Sequence, residues 1–376
     1  EVLSMSELTT MVIMVFSVLI VPAVMFLISR STHREYVPIY MCGINEGDNT
    51  HYTGSLGEPR KLYLTNWYLR FQMGRRRLLK PAEIISASVL IVIFALLLYL
   101  CLAPFAGALL DGVDRKITAR MQGRKGPKLL QPFYDLIKLF SKQMIAVNSV
   151  QLLLNLSYLA FLAIAGGILF FGSDILMSLF ILSTADMFLI LAACSDSSPF
   201  SNMGASREML QMMSYEPMTL LIAVGFYLST GSFRVEDIIA SPTSAIWLMP
   251  GLFIGFILIM AIKLRKSPFD LSTSHHAHQE MVKGITTEMS GPTLAVMEIG
   301  EYYEKMLLLG IVAIFFINAS PLSWPIAIAL TLFVYFIEIL IDNVCARLNW
   351  KQVLDVCWLI TLLAGGINIL ILMSIR

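Results

Sequence analysis

Nine runs along this chain are apolar for long enough to cross a bilayer, which takes about 20 helical residues. They cover residues 9–28, 84–110, 151–171, 174–194, 207–229, 246–263, 294–317, 321–345 and 353–373. Polar residues gather in the connections, which are short except for 29–83, 111–150 and 264–293. No stretch is left over for a soluble domain of useful size. The pattern predicts an all-α integral membrane protein: eight helices over 84–376, preceded in 1–83 by one additional transmembrane helix and a basic, polar linker.

Composition points the same way. Charged residues are 14% of the 376 and hydrophobic ones 57%, against about 25% charge in a soluble domain. The balance of 27 basic and 26 acidic residues argues against nucleic acid as a partner. Cys42, Cys101, Cys194, Cys345 and Cys357 form no CxxC pair, so neither an iron–sulfur cluster nor a structural zinc is indicated. His33, His51, His275, His276 and His278 all lie outside the apolar runs, which leaves no paired intramembrane haem ligands. The chain is expected to carry no redox centre of its own.

Lysines and arginines orient the bundle. Counting the last eight helices, the loop after the first holds Arg115, Lys116, Arg120, Arg124, Lys125, Lys128, Lys138 and Lys142. The loop after the fifth holds Arg265, Lys266 and Lys283, and that after the seventh Arg347 and Lys351. The connections after the second and sixth have none, and that after the fourth only Arg234. Basic loops are therefore expected on the cytoplasmic face of the cell membrane. The linker in 1–83 is equally basic, and one crossing cannot place both it and the loop at 111–150 inside. Either a further crossing exists, or one loop departs from the rule, or residues before about Met73, ahead of the run MGRRR, derive from a different polypeptide.

Four motifs carry candidate chemistry. In DRKITARMQGRKGPKLLQPFYDLIKLFSK, Leu129, Leu130, Phe133, Leu136, Ile137 and Phe140 recur at helical spacing with Lys138 and Lys142 opposite, the pattern of an interfacial amphipathic helix. The alternative is a basic loop that only fixes topology. In SPFSNMGASREMLQMMSYEPMTLL, Arg207, Gln211 and Ser214 share a face, and Glu208 and Glu216 lie about 80° apart around the helix, so both can look into one polar seam. Pro217 should kink the helix there. A helix cap and a simple ion pair is the plainer explanation.

The third motif is the run of acids Asp270, Glu280, Glu288, Glu298, Glu301 and Glu304 between two apolar runs. Glu298, Glu301 and Lys305 share a helix face, and Asp186, Glu338 and Asp342 sit in other spans. Ionisable groups at a helix centre cost roughly 2.5–3.5 kcal/mol each on the insertion scale, so together they mark a proton or ion path or an ion-pairing surface for a partner. The fourth motif, HHAHQE at 275–280, could bind zinc or nickel or form a hydrogen-bonding surface against a neighbouring subunit.

Taken as an ordered series, DRKITARMQGRKGP…LLQPFYDLIKLF, GASREMLQMMSYEP, SPFDL…GITTEMSG and the closing NVCARLNWKQ resemble the NuoH-type family, subunit 1 of respiratory NADH:quinone oxidoreductase. The likeness runs from 84 to 373 and includes the eight-helix layout. RKSPFDLSTSHHAHQEMVKGITTEMSG looks like the EchB membrane subunit of energy-converting nickel–iron hydrogenase. Quinone-reducing members usually carry an acid-rich stretch after PFDL, and Ser272-Thr273-Ser274-His275-His276 stands there instead. Residues 1 to about 80 look like the C-terminal tail of the antiporter-like EchA subunit.

The resemblance implies a membrane anchor that couples redox chemistry in a soluble arm to movement of protons or sodium ions. It implies as partners a nickel–iron large subunit, small iron–sulfur subunits, an antiporter-like membrane subunit, ferredoxin through the complex, and membrane lipid. The nickel–iron centre and 4Fe–4S clusters would belong to those partners. The ion path would run through Asp186, Glu208, Glu216, Glu288, Glu298, Glu301, Glu338 and Asp342. Docking would fall to Arg115, Arg120, Arg124, Lys125, Arg207, Arg265, Asp270, His275, His276, His278 and Glu280. Alternatives are the same subunit in a quinone-reducing complex or a formate hydrogenlyase, a stand-alone ion transporter, and a purely structural anchor.

Overall fold

The computed structural model describes residues 81–143, 149–196, 198–269, 272–273 and 283–375, with side chains from residue 99 onward. The expected span at 9–28, most of the linker, and the site residues Asp270, His275, His276, His278 and Glu280 lie outside the described residues.

Within them the chain is helical: α1 (Pro81–Met121), α2 (Gln131–Ser141), α3 (Ser149–Phe170), α4 (Ile175–Cys194), α5 (Pro199–Thr230), the short α6 (Val235–Ile239) and α7 (Ala245–Leu248), α8 (Pro250–Lys263), α9 (Pro292–Phe316), α10 (Ser323–Val344), and a last helix in two parts, α11 (Trp350–Ile360) and α12 (Ile367–Ile375), joined through a π-helical stretch at Thr361–Gly366. Seven of the eight expected spans from 84 onward fall on long helices, the last counted through its π-helical joint, and that at 246–263 falls on the short α7 and the 14-residue α8. Those at 150–170, 175–194, 323–344 and 350–374 are long and apolar enough to cross a membrane on those grounds alone. An isolated bridge between Asp174 and Arg234 is the only β pairing among the described residues.

Helix α9 is the hub. Residues Tyr302 to Val312 are buried without a break, including the charged Glu304 and Lys305. The crossing with α1 is close because Gly107 offers no side chain: a Cβ there would lie 2.5 Å from the Tyr302 carbonyl oxygen. Around this pair stand α3 and α4, a hairpin turned at Gly172, whose φ of 75° only glycine adopts cheaply. Helix α5 runs unbroken through Pro217 for 32 residues, so the proline ends no helix. Its N-terminal half rests on the loop before α9.

Loop contacts sort the two ends as the charge pattern predicts. At one end Leu348 N–H bonds the Pro268 carbonyl at 3.2 Å, and Gly204, near the start of α5, lies so close to the loop before α9 that a Cβ there would fall 2.6 Å from the Ile285 amide nitrogen. At the other, Ile175 N–H bonds the Phe233 carbonyl at 3.0 Å and Ala319 N–H bonds Ser241 at 2.9 Å. Loops after the odd-numbered spans thus meet at one end and those after the even-numbered spans at the other.

The amphipathic segment is a helix, α2, but its apolar stripe does not turn inward as one face. Leu129, Pro132 and Leu139 are buried, and Phe133 stacks on Phe105 at 4.9 Å. Ile137 is 66% and Phe140 51% exposed. Asp135, bordering the buried strip, pairs with Arg115 of α1 at 2.8 Å.

Candidate functional site

The chain Lys263-Leu264-Arg265-Lys266 closes α8 and builds the site. Arg265 takes a left-handed conformation with φ of 51°, uncommon for a residue with a Cβ. The turn sends three successive cations to three different places. Lys263 Nζ, buried at 3% side-chain exposure, bonds Asp186 of α4 and lies 3.2 Å from Glu304 of α9. Arg265 reaches Glu208 of α5 at 3.5 Å and bonds Glu301 of α9. Lys266 Nζ lies 2.6 Å from Asp114 of α1.

Aromatic groups line the same seam. Tyr215 donates its hydroxyl to Asp186 at 2.9 Å, and the Lys263 ammonium lies 5.1 Å from the centre of its ring. Lys266 stands 5.2 Å from the ring of Tyr335, whose hydroxyl is 3.4 Å from Asp114. From the hub, Lys305 pairs with Asp111 at 2.9 Å, and Arg115 bridges Asp111 and Asp135, both at 2.8 Å. The result is a ladder of alternating acids and bases that enters from α4 and α5, crosses α9 and leaves through α1. One half ends on Glu304 and the other on Lys305, so α9 carries both.

Glu338 of α10 is fully buried, and both its carboxyl oxygens are without a hydrogen-bond partner. Lys266 and Asp342 are the charged groups around it. Asp342 itself accepts the Ser267 N–H at 2.8 Å. A desolvated acid with no partner is expensive.

The expected path residues are thus unevenly placed. Asp186, Glu208 and Glu301 join the ladder directly, and Glu338 and Asp342 border it at Lys266. Glu298 is half-buried near Glu301, Arg115 and Asp111. Glu216 is half-buried with no ion pair among the described residues, and Glu288 is half-buried on the loop before α9.

Of the residues expected to dock partners, Arg120, Arg124 and Lys125 are exposed, and Arg207 is half-buried. Arg265 pairs with Glu208 and Glu301 inside the bundle, and the exposed Arg115 pairs with Asp111 and Asp135. Motif spacing alone did not single out Lys263, Lys266, Asp111, Asp114, Tyr215 or Tyr335 for the seam. The signal was available: three cations within four residues at the end of an apolar span, facing an aspartate in the middle of another.

Outside the membrane-spanning segments, Asp135 feels partial burial, which works upward. Hydrogen bonds from Arg115 and Gln131 outweigh it and hold the carboxyl below its usual range.

An all-α polytopic membrane protein with charged pairs sealed between its helices is the class this fold and site define. Within that class, residues 91–373 match the family model for NADH dehydrogenase, and the chain belongs to that family. It is 30% identical over 313 residues to the NuoH-type subunit of NADH-quinone oxidoreductase from Rhodospirillum rubrum, covering 71% of this chain and 92% of that one. It is 29% identical over 298 residues to hydrogenase-4 component C of Escherichia coli K12, covering 72% and 92%. A chain of the membrane-bound sulfane sulfur reductase, an archaeal respiratory membrane complex, superposes with a TM-score of 0.66 at 20% identity, over 75% of this chain and 99% of that one. That last likeness concerns the fold. The protein is a membrane subunit of complexes of the complex I or hydrogenase kind.

Proposed function

We propose that this chain is the ion-translocating coupling subunit of an energy-converting nickel–iron hydrogenase, with no redox centre of its own. The observation that carries the coupling role is a pair of charge arrays carried by α9, Asp186–Lys263–Glu304 on one side and Lys305–Asp111–Arg115 on the other. An anchor needs no such array, since replacing buried ion pairs by apolar residues is often neutral or stabilising. Paired acids and bases that can exchange partners can pass a displacement of charge along the seam. The hydrogenase assignment is supported by the likeness to a hydrogenase component and by the serine–histidine stretch after PFDL.

On this reading, reduced ferredoxin and protons yield hydrogen in the partner subunits, or the reverse, and the seam drives protons or sodium ions across the cell membrane. The exposed Arg120, Arg124 and Lys125, together with the histidine stretch, face the hydrogenase large and iron–sulfur subunits at the cytoplasmic surface.

A second reading, the same subunit in a quinone-reducing complex, draws on the comparably strong likeness to the Rhodospirillum rubrum protein. The test isolates the complex through a tag on this chain. Nickel in the preparation and hydrogen evolution from reduced ferredoxin are expected. Quinone reduction without nickel would replace the first reading by the second.

A further inference from the structure

Three residues of α10 share one helix face: Tyr335, Glu338 three residues on, and Asp342 four beyond that. The strand of loop that leaves α8 lies along this face and touches it at both ends. At one end Ser267 N–H bonds Asp342 at 2.8 Å, and the Ser267 hydroxyl reaches the Cys345 carbonyl at 3.4 Å. These contacts hold the backbone beside Lys266 at the turn of Asp342. At the other end the Lys266 ammonium stands 5.2 Å from the centre of the Tyr335 ring. The lysine side chain therefore leaves its backbone at the turn of Asp342 and finishes at that of Tyr335. Glu338 occupies the turn between them.

The ends of this lysine are unequally provided for. Its Nζ lies 2.6 Å from Asp114 of α1, and Lys266 is 5% exposed. Asp114 has two further donors beside it, the hydroxyls of Thr118 and Tyr335, both at 3.4 Å. Glu338 is fully buried, and neither of its carboxyl oxygens has a hydrogen-bond partner among the described residues. A buried carboxyl in that setting is sustained as the neutral acid or with a cation against it. An ammonium has three N–H groups on a flexible stem, so turning this one from α1 to α10 needs no movement of the backbone.

We propose that Glu338 is a second station for the Lys266 ammonium, whose side chain swings between Asp114 of α1 and Glu338 of α10 while Asp342 holds its backbone. In the arrangement described here the first station is filled and the second vacant. The inference stands on contacts of this chain alone. If the coupling role proposed above holds, the swing supplies a movable charge beside the seam.

The test is a set of variants of the purified complex at rest, read as the midpoint of thermal disassembly on size exclusion. It involves no turnover, so its outcome is independent of any pumping or hydrogenase activity. Asp114→Asn and Glu338→Gln each leave the ammonium one acid, and each should lower the midpoint slightly. Together they strand a buried ammonium, and the midpoint should fall by clearly more than the two single shifts added. Made in a Lys266→Met background, the same two changes should show no such excess. A map of the Asp114→Asn complex by electron cryo-microscopy should place Lys266 Nζ within hydrogen-bond distance of the Glu338 carboxyl. The proposal is overturned if the single shifts simply add, if the excess persists without Lys266, or if the ammonium in Asp114→Asn stays over Tyr335 or moves to Asp342. It is overturned too if Asp114→Asn alone prevents assembly where Glu338→Gln does not, since no second station then receives the ammonium.

Discussion

Replacing Lys263 by methionine should be the most damaging single change in the seam, and the structure says why. The ammonium sits between Asp186 and Glu304 with almost no solvent contact. A unit charge pair at the 3.2 Å of Lys263–Glu304 attracts by about 5 kcal/mol at an effective dielectric near 20. Methionine fills the space but leaves two acids facing each other without a cation. Breaking a buried pair from one side costs about 3–5 kcal/mol.

Asp186→Asn starts from the same triad and should do far less. It leaves Lys263 paired with Glu304 and keeps an acceptor for the Tyr215 hydroxyl, at a cost of about 1 kcal/mol, the scale of one hydrogen bond. The double variant should recover about 2 kcal/mol relative to the sum of the singles, as expected for residues in one network. The assay is thermal inactivation of the detergent-solubilised complex, followed as retention of the intact assembly on size exclusion. If Lys263→Met proves as mild as Asp186→Asn, or the two effects simply add, the triad does not hold the charge balance argued here.

Other consequences are smaller in scope. Gly107→Val should prevent α1 from meeting α9, because a Cβ at that point already lies 2.5 Å from the Tyr302 carbonyl oxygen; the expected result is loss of assembled complex. Gly204→Ala brings a Cβ to 2.6 Å from the Ile285 amide nitrogen; it should loosen the loop before α9, seen as faster proteolysis within 264–291. The Asp135 carboxyl is depressed, so its bond to Arg115 stabilises α2 above the ordinary aspartate range. That contribution should fade as pH falls through its lowered value, and amide exchange in 131–141 should quicken there; Asp135→Asn should show the faster exchange at neutral pH.

The helices were legible because apolar runs of the right length are a one-dimensional signal, and α3, α4 and α10 fall within a few residues of expectation. The alternation of the two ends was legible too, from lysine and arginine counts alone. The pairing inside the seam was not. Lys263 reads as the last residue of a span, and Arg265 and Lys266 as topology markers. Only the left-handed turn at Arg265 reveals that these side chains point back into the bundle. Asp111 and Asp114 looked like the start of a basic loop, because α1 continues well past its apolar stretch to Met121. Helical spacing identifies an apolar face on α2, but not how that face is turned.

The central claim is that the buried ladder couples partner chemistry to ion movement, and Glu304 is where one of its halves ends on α9. The most direct measurement uses the complex reconstituted into vesicles, recording ion uptake per hydrogen evolved from reduced ferredoxin, for the natural chain and for Glu304→Gln. The account predicts that the variant still evolves hydrogen while uptake per hydrogen falls several-fold. Unchanged uptake per hydrogen in an assembled Glu304→Gln complex would contradict it and leave the seam a structural feature of the membrane anchor.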